Sequence, residues 1–134
     1  MRFDHMPSDF NELFLFLGDE QDMTDFSEAL RAFSKQPSKT DMGQALASSV
    51  SKSKLVLVPE DGEAGDYGLR KEPDGTFRWG LNAWQAEQIA ARVDLLTPRE
   101  NRSGSEIFEL GVPGEIPVKV SRGEFEDEFL VNKF

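Results

Sequence analysis

The spacing of apolar residues changes near Lys54, and this change constrains the fold more than any motif in the chain. Before Lys54, apolar residues recur three and four positions apart, as they do on one face of a helix. After Lys54 they mostly alternate with polar residues, as in strands that bury one face. The pattern predicts an α+β fold with N-terminal helices, followed by a mostly antiparallel sheet of about five strands with one inserted helix.

Three helices are predicted in the first half, over Ser8–Gly18, Thr24–Pro37 and Thr40–Val50, where Ser8, Thr24 and Thr40 serve as N-caps. Residues 1–7 are expected to be frayed, and residues 1–134 are expected to form a single domain. No internal repeat is visible among the residues. The stripe residues of the first two helices are Phe10, Leu13, Phe14, Leu17, Phe26, Ala29, Leu30 and Phe33.

The second half contains the signals for strands. Leu55–Val58 is apolar at every position, which is typical of a central strand covered on both faces. The turn residues Pro73–Gly75 predict a hairpin that pairs Leu69 with Trp79. A last hairpin is predicted to return along Ile116–Val120, where burial should alternate.

The inserted helix, from Asn82 to about Leu96, carries two apolar faces instead of one. Trp84, Ala91 and Leu95 form the second face, nearly opposite the face expected to meet the sheet. One interpretation is that the helix is buried on both sides. The other is that Trp84, Ala91 and Leu95 form a protein-binding surface, in which tryptophan is enriched.

The predicted register of the first hairpin places Arg70 directly opposite Arg78, with Lys71 beside them. Like charges in that position repel each other unless a carboxylate neutralises them. Arg70, Lys71 and Arg78 are therefore predicted either to be neutralised by nearby acids or to form a small anion-binding patch.

The charge balance narrows the possible partners, because 25 acidic residues outnumber 15 basic ones and give a formal net charge of −10. This balance argues against nucleic-acid binding, which needs a basic surface. It favours a partner protein with a basic surface. The acids expected to contribute most are clustered near the C-terminus, at Glu124, Glu126, Asp127 and Glu128.

The sequence lacks the residues that several kinds of metal and catalytic sites require. The chain has one histidine and no cysteine, which excludes a thiolate zinc site and a cysteine nucleophile. The acidic segments do not match a calcium loop, so no metal and no cofactor are expected. No apolar run is long enough to cross a membrane. A cytoplasmic location is expected, since a chain without cysteine fits a reducing compartment.

The function predicted is a non-enzymatic acidic binding module, such as an immunity protein, an inhibitor or an adaptor, that docks a basic partner. One alternative is a small enzyme or binder that uses carboxylates and arginines on an anionic small molecule. Another is an assembly subunit that forms a homodimer. From about Thr40 to Ser121 the predicted order is helix, three strands, helix and two strands, which is similar to that of the type III secretion chaperones. The resemblance implies a protein-binding homodimer.

Overall fold

The computed structural model describes residues 1–7, 12–46, 49–62, 66–97 and 104–123. Within these ranges the chain forms eight strands and three α-helices, and a turn of 3₁₀ helix follows the third helix. In chain order, the elements are β1 (Arg2–Met6), β2 (Leu13–Gly18), α1 (Glu20–Lys35), β3 (Thr40–Asp41), α2 (Met42–Ala45), β4 (Leu55–Pro59), β5 (Gly68–Lys71), β6 (Phe77–Leu81), α3 (Ala83–Val93), β7 (Gly104–Phe108) and β8 (Val118–Arg122).

The strands form two four-stranded mixed sheets. Sheet A has the order β1-β2-β8-β7, and sheet B has the order β3-β4-β6-β5. In each sheet the two central strands are parallel, and each edge strand is antiparallel to its neighbour. Because each sheet takes one of its two central strands from each half of the sequence, the two halves cannot form the sheets separately.

The topology contains a repeat that the residues do not reveal. The first half runs β1-β2-α1-β3-β4, and the second half runs β5-β6-α3-β7-β8. In this repeat β1 corresponds to β5, β2 to β6, β3 to β7 and β4 to β8. When each strand of sheet A is replaced by its counterpart, the result is the strand order of sheet B, and the parallel central pair β2-β8 becomes the parallel central pair β6-β4. The molecule is therefore built from two ββαββ units, and each unit contributes one hairpin-like pair of strands to each sheet.

The two units also correspond residue by residue around their helices. The N-caps Asp19 and Asn82 are separated by the same sequence interval as Phe14 and Phe77, and as Phe16 and Trp79. The pairing of Phe14 with Val118 in sheet A has its counterpart, at that same interval, in the pairing of Phe77 with Leu55 in sheet B. We call residues related in this way equivalent.

The core lies where equivalent elements meet. The rings of Phe14 and Phe77 are 5.1 Å apart between centroids, and those of Phe16 and Trp79 are 6.0 Å apart. Helices α1 and α3 pack against each other, and their inner faces join the same core as both sheets. The buried residues that the two helices contribute are Met23, Phe26, Ser27, Leu30, Phe33, Ala86, Ile89, Ala90 and Val93.

Polar contacts join the two helices at their margin. Arg31 Nη2 lies 2.7 Å from Asp94 Oδ2, and Arg31 Nε lies 3.2 Å from Glu87 Oε1. The hydroxyl of Ser27 donates to Asp94 Oδ1 at 2.6 Å. The hydrogen bonds to Asp94 and Glu87 raise the pKa of Arg31 above its ordinary value. These contacts hold α1 and α3 together, and they engage the carboxylates of Glu87 and Asp94.

The predicted N-terminal helix over Ser8–Gly18 is wrong. Leu13–Gly18 is strand β2, which lies between β1 and β8 in sheet A. Phe14 and Phe16 face the main core, and Leu15 and Leu17 are buried on the opposite face of the sheet. A continuous apolar run therefore became a central strand, because neighbouring strands and covering residues are present on all sides of it.

Three other expectations about the first half are corrected. Part of residues 1–7, expected to be frayed, forms edge strand β1. The second helix begins at Glu20, not after Thr24, because Asp19 and Asp22 form a capping box there. The third helix, expected over Thr40–Val50, is the single turn Met42–Ala45.

The prediction of one mostly antiparallel sheet of about five strands is also wrong, since the strands are divided between two mixed sheets. The strands of the Thr40–Ser121 region that prompted the comparison with secretion chaperones are divided in the same way, with β4, β5 and β6 in sheet B and β7 and β8 in sheet A. Local features of this half agree with the structure. Leu69 pairs with Trp79, and Asn82 caps α3.

Burial along the last strand departs from the prediction at one position. Ile116, Val118 and Val120 are buried, as the alternation requires. Ser121 follows Val120, so the same alternation would turn it toward water, yet it is fully buried.

Candidate protein-docking groove

Helix α3 presents the second apolar face to solvent. Asn82 and Gln85 form a capping box that fixes the start of the helix. Trp84 is 69% exposed and Leu95 is 62% exposed, and Ala91 between them is also exposed. The interpretation in which both faces of this helix are buried is therefore wrong. That Trp84, Ala91 and Leu95 bind a partner stays a prediction.

Trp84 lies at an open groove between α3 and the end of β7. The groove has a volume of about 490 Å³, which includes the open solvent at its mouth. Its helical wall is formed by Trp84, Gln85, Gln88 and Arg92, and the opposite wall by Phe108, Glu109 and Leu110. We call this the α3 groove. Its apolar lining and polar rim resemble the core and rim of protein interfaces.

Arg92 connects the two walls of the α3 groove. Its Nε donates to Glu106 Oε1 at 2.7 Å, and its Nη2 donates to the carbonyl oxygen of Ile107 at 3.2 Å. Its guanidinium carbon also lies 4.7 Å from the centroid of the Phe108 ring. Arg92 thus holds β7 at a defined distance from the helix while its own side chain stays half exposed.

Glu115 fixes the loop that carries Leu110. Its carboxylate accepts hydrogen bonds from the backbone N–H groups of Leu110 at 2.9 Å and of Gly111 at 2.8 Å. Gly111 has a φ of 79°, a conformation that favours glycine. The rim of the groove is therefore set by a carboxylate and a glycine turn, and Leu110 remains partly exposed on it.

The first half of the molecule also has a groove beside its helix, and it corresponds to the α3 groove only in part. Asp25 and Ala29, the equivalents of Gln88 and Arg92, are in its lining, but Gln21, the equivalent of Trp84, is not. This groove, between α1 and β3, is lined in part by Asp25, Glu28, Ala29, Ala32 and Thr40, and we call it the α1 groove.

The helix residues that are equivalent to Trp84, Ala91 and Leu95 are Gln21, Glu28 and Ala32. Since the same scaffold carries polar or small residues at α1, the fold itself does not require Trp84 or Leu95 at α3.

The structure places Arg70 opposite Arg78, as the register predicts. Arg78 forms an ion pair with Glu60 and donates to the carbonyl oxygen of Asp66 at 2.9 Å. Arg70 donates to the carbonyl oxygen of Pro113 at 2.7 Å, and Lys71 is exposed.

Both guanidinium groups are thus engaged by the protein, which agrees with neutralisation of Arg78 by a carboxylate. Anion binding by Arg70, Lys71 and Arg78 stays a prediction.

The acidic residues predicted to dock the partner, Glu124, Glu126, Asp127 and Glu128, lie outside the described residues. The ring of His5, the single histidine, packs on the ring of Phe77, and its Nε2 lies 2.8 Å from Glu12 Oε2. Among the described ranges, no group of three or more His, Cys, Asp or Glu residues is arranged to hold a metal ion. In those same ranges, no helix combines the length and apolar character needed to cross a membrane.

The sequence alone did not reveal Arg92, Leu110 or the wall formed by β7. Phe108 and Leu110 alternate with polar residues, which is typical of a strand, but their position beside α3 depends on long-range packing. The two faces of the α3 helix were the one sequence signal that pointed to the groove.

Comparison of the chain with protein families, with curated proteins and with solved structures finds no match.

Proposed function

We propose that the protein is a binding module whose α3 groove receives a segment of a partner protein. One observation carries the proposal: Trp84 is largely exposed beside an apolar groove, and its equivalent on the same scaffold is Gln21. Tryptophan is the residue type most often found to dominate binding energy in protein interfaces. Covering Trp84 is expected to contribute about 2 kcal/mol or more to binding.

The charge of the chain defines the chemistry of the partner. The net charge is −10, and the carboxylates of Glu106, Glu109 and Glu115 lie in or beside the α3 groove. A segment with an apolar side chain flanked by lysine or arginine complements this groove, because basic groups gain from the acidic field and speed the encounter. An immunity protein, an inhibitor or an adaptor would each use such a contact. The proposal places this contact in the cytoplasm, which suits a chain without cysteine.

Peptide selection tests the proposal directly. A random dodecapeptide library would be selected on the immobilised parent protein without counter-selection, and each enriched peptide would then be tested for binding to Trp84→Asp. Enriched peptides are expected to carry an apolar residue flanked by basic residues. They should bind Trp84→Asp at least about thirty-fold more weakly, which corresponds to about 2 kcal/mol.

Gln21→Asp is the matched control, since it adds the same charge at the equivalent exposed position of α1. This variant should bind the selected peptides like the parent protein. Trp84 fluorescence gives an independent reading, because the other tryptophan, Trp79, is buried. Peptides that bind Trp84→Asp and the parent protein equally, or that carry no basic residues, would refute the proposal.

A further inference from the structure

Within the described residues the two sheets have four edges, and two of these edges are bridged by other parts of the chain. The edge of β1 is bridged to Val50 at Arg2, and the hydroxyl of Ser51 donates to the carbonyl oxygen of Phe3. The edge of β5 is bridged at Leu69 by Ile116, whose N–H donates to the carbonyl oxygen of Leu69 at 2.8 Å. Such coverage prevents a foreign strand from pairing with these edges.

The remaining two edges are equivalent but differ in length. Strand β3 has 2 residues and leads directly into α2, so it offers almost no edge. Strand β7 has 5 residues, and the side chain of Ile107 at its centre is 53% exposed. Short edge strands are a common protection against pairing, and β7 lacks that protection.

The backbone of β7 can be oriented from its neighbours in sheet A. The N–H of Phe14 donates to the carbonyl oxygen of Pro117, so Pro117 points toward β2 and the next residue, Val118, points toward β7. Val118 is paired with Phe108, and the direction alternates along a strand. The N–H and C=O groups of Ile107 therefore point away from β8, toward the edge of sheet A that no described strand covers, which we call the free edge.

The contact made by Arg92 agrees with this orientation. Arg92 reaches from α3 and donates to the carbonyl oxygen of Ile107, which is possible because that oxygen faces the α3 groove. The free edge of β7 and the groove beside Trp84 are thus parts of one surface. The half-exposed side chain of Arg92 covers the edge at this point, and an added strand would replace its hydrogen bond to the Ile107 carbonyl oxygen.

We infer that the partner segment binds in an extended conformation and adds to β7 as a fifth strand of sheet A. This inference rests on the proposed function of the α3 groove. Backbone hydrogen bonds to Ile107 and Ser105 would supply affinity, and alternate side chains of the segment would contact Trp84 and Phe108. From Trp84 to Arg92 the helix rises about 12 Å, which is the length of about four extended residues.

The occupant is a foreign basic segment and not a second copy of this chain. Two copies paired through β7 would each bring a net charge of −10 to the interface. They would also place Glu106 and Glu109 of one copy near the same acids of the other, which is unfavourable. A lysine-rich or arginine-rich strand has the opposite charge and removes this repulsion.

Proline substitution at the free edge tests the inference. Ile107→Pro removes an N–H that points away from β8, so sheet A should keep its hydrogen bonds and the melting temperature should stay near that of the parent. Selected peptides that depend on Trp84 should bind Ile107→Pro at least ten-fold more weakly than Ile107→Ala. Ile107→Ala is the matched control, because it shortens the same side chain and keeps the N–H.

Amide hydrogen exchange of the unmodified protein supplies a second measurement that needs no variant. A selected peptide should slow exchange at the amides of Ser105 and Ile107 at least ten-fold. Equal binding to folded Ile107→Pro and Ile107→Ala, or unchanged exchange at both amides with bound peptide, would overturn strand addition.

The outcomes separate the two proposals. If strand addition fails while Trp84→Asp still abolishes binding, the proposed function stands and the extended conformation is wrong. A library that yields no Trp84-dependent peptide overturns both. A protein that forms dimers, and becomes monomeric in Ile107→Pro, would show that the edge serves a second copy and would overturn the choice of partner.

Discussion

The α3 groove and the α1 groove each lie beside the long helix of one ββαββ unit, and they differ in chemistry. The α3 groove exposes Trp84 and Leu110 beside Phe108, whereas the α1 groove exposes Glu28 and has Asp25 in its lining. Their edge strands differ as well, with 5 residues in β7 and 2 in β3. The two grooves show that the fold tolerates either surface.

The interior of the two units behaves in the opposite way. Phe14 and Phe77 are both aromatic and buried, as are their neighbours Phe16 and Trp79. Packing at the centre admits few alternatives, because a change of volume there leaves a cavity or a clash. A difference between equivalent positions is therefore most informative where the side chains face water.

The largest expected effect is a loss of stability when a charge is placed in the core that the two units share. Val118→Asp and its equivalent Leu55→Asp each place a charge without a partner in the core, because both parent residues are buried. Each variant should lose about 4 kcal/mol or more in free energy of unfolding, measured by urea denaturation.

Val50→Asp is the control for this comparison, since Val50 is exposed and its replacement should change stability by about 0.5 kcal/mol or less. A Val118→Asp protein that unfolds like the parent would disprove the assignment of β8 to the core. A loss in only one of the two core variants would show that the units are not equivalent in packing.

An intermediate effect is expected where the two helices begin. Both helices have a capping box, but α1 uses Asp19 with Asp22, and α3 uses Asn82 with Gln85. Burial raises the pKa of Asp22, yet hydrogen bonds from the Asp19 N–H and from the terminal ammonium outweigh it, so the pKa lies below the ordinary value of 3.8.

Because the pKa of Asp22 is lowered in the folded state, this carboxylate stabilises the protein above its unfolded pKa. The contribution is lost as the pH falls through the folded pKa. Asp22→Asn should therefore cost about 1 kcal/mol or less near neutral pH, since the group is partly solvated, and the cost should shrink below pH 3.8. Denaturation of both proteins across pH measures this difference.

Gln85→Glu is the matched control, because it gives the cap of α3 a titratable group at the position equivalent to Asp22. A cost of Asp22→Asn that is the same at every pH would contradict the assigned ionisation.

The smallest expected effect concerns the cluster of acidic residues near the C-terminus. Neutralising Glu124, Glu126, Asp127 and Glu128 together should slow association of a selected basic peptide a few-fold at low salt, because the attraction is screened over about 8–10 Å near physiological ionic strength. If these four acids serve docking, as predicted, the melting temperature should change little. Stopped-flow measurements over a range of salt test this.

Neutralising Asp25 and Glu28 in the α1 groove serves as the comparison for these four acids. An association rate unaffected by the four C-terminal changes at every salt concentration would remove them from the interface and leave the α3 groove as the docking surface.

Short-range signals in the sequence were sufficient for several elements. The start of α3 at Asn82, the pairing of Leu69 with Trp79 and the inner stripe of α1 agree with the structure. Each depends on residues close together in the chain: a capping side chain, a tight turn, or a repeat of three and four positions. Such signals need no information from the rest of the fold.

Tertiary structure decided that the run Leu13–Leu17 is a strand and not a helix, and that the strands are divided between two sheets. A short apolar run satisfies a buried helix and a buried strand equally well, so periodicity cannot separate them. The choice is made by β8, which lies at the other end of the chain and pairs with β2 in parallel. The exchange of strands between the two units follows from this pairing and leaves no local trace in the sequence.

The same division applies to the candidate site. The sequence by itself determined that α3 has two apolar faces and that the chain is acidic. Only packing decided that the face with Ile89 is buried and the face with Trp84 is exposed, and that β7 lies beside it. The physical reason is that a helix pattern records which residues are apolar, whereas burial depends on which neighbouring elements reach each face.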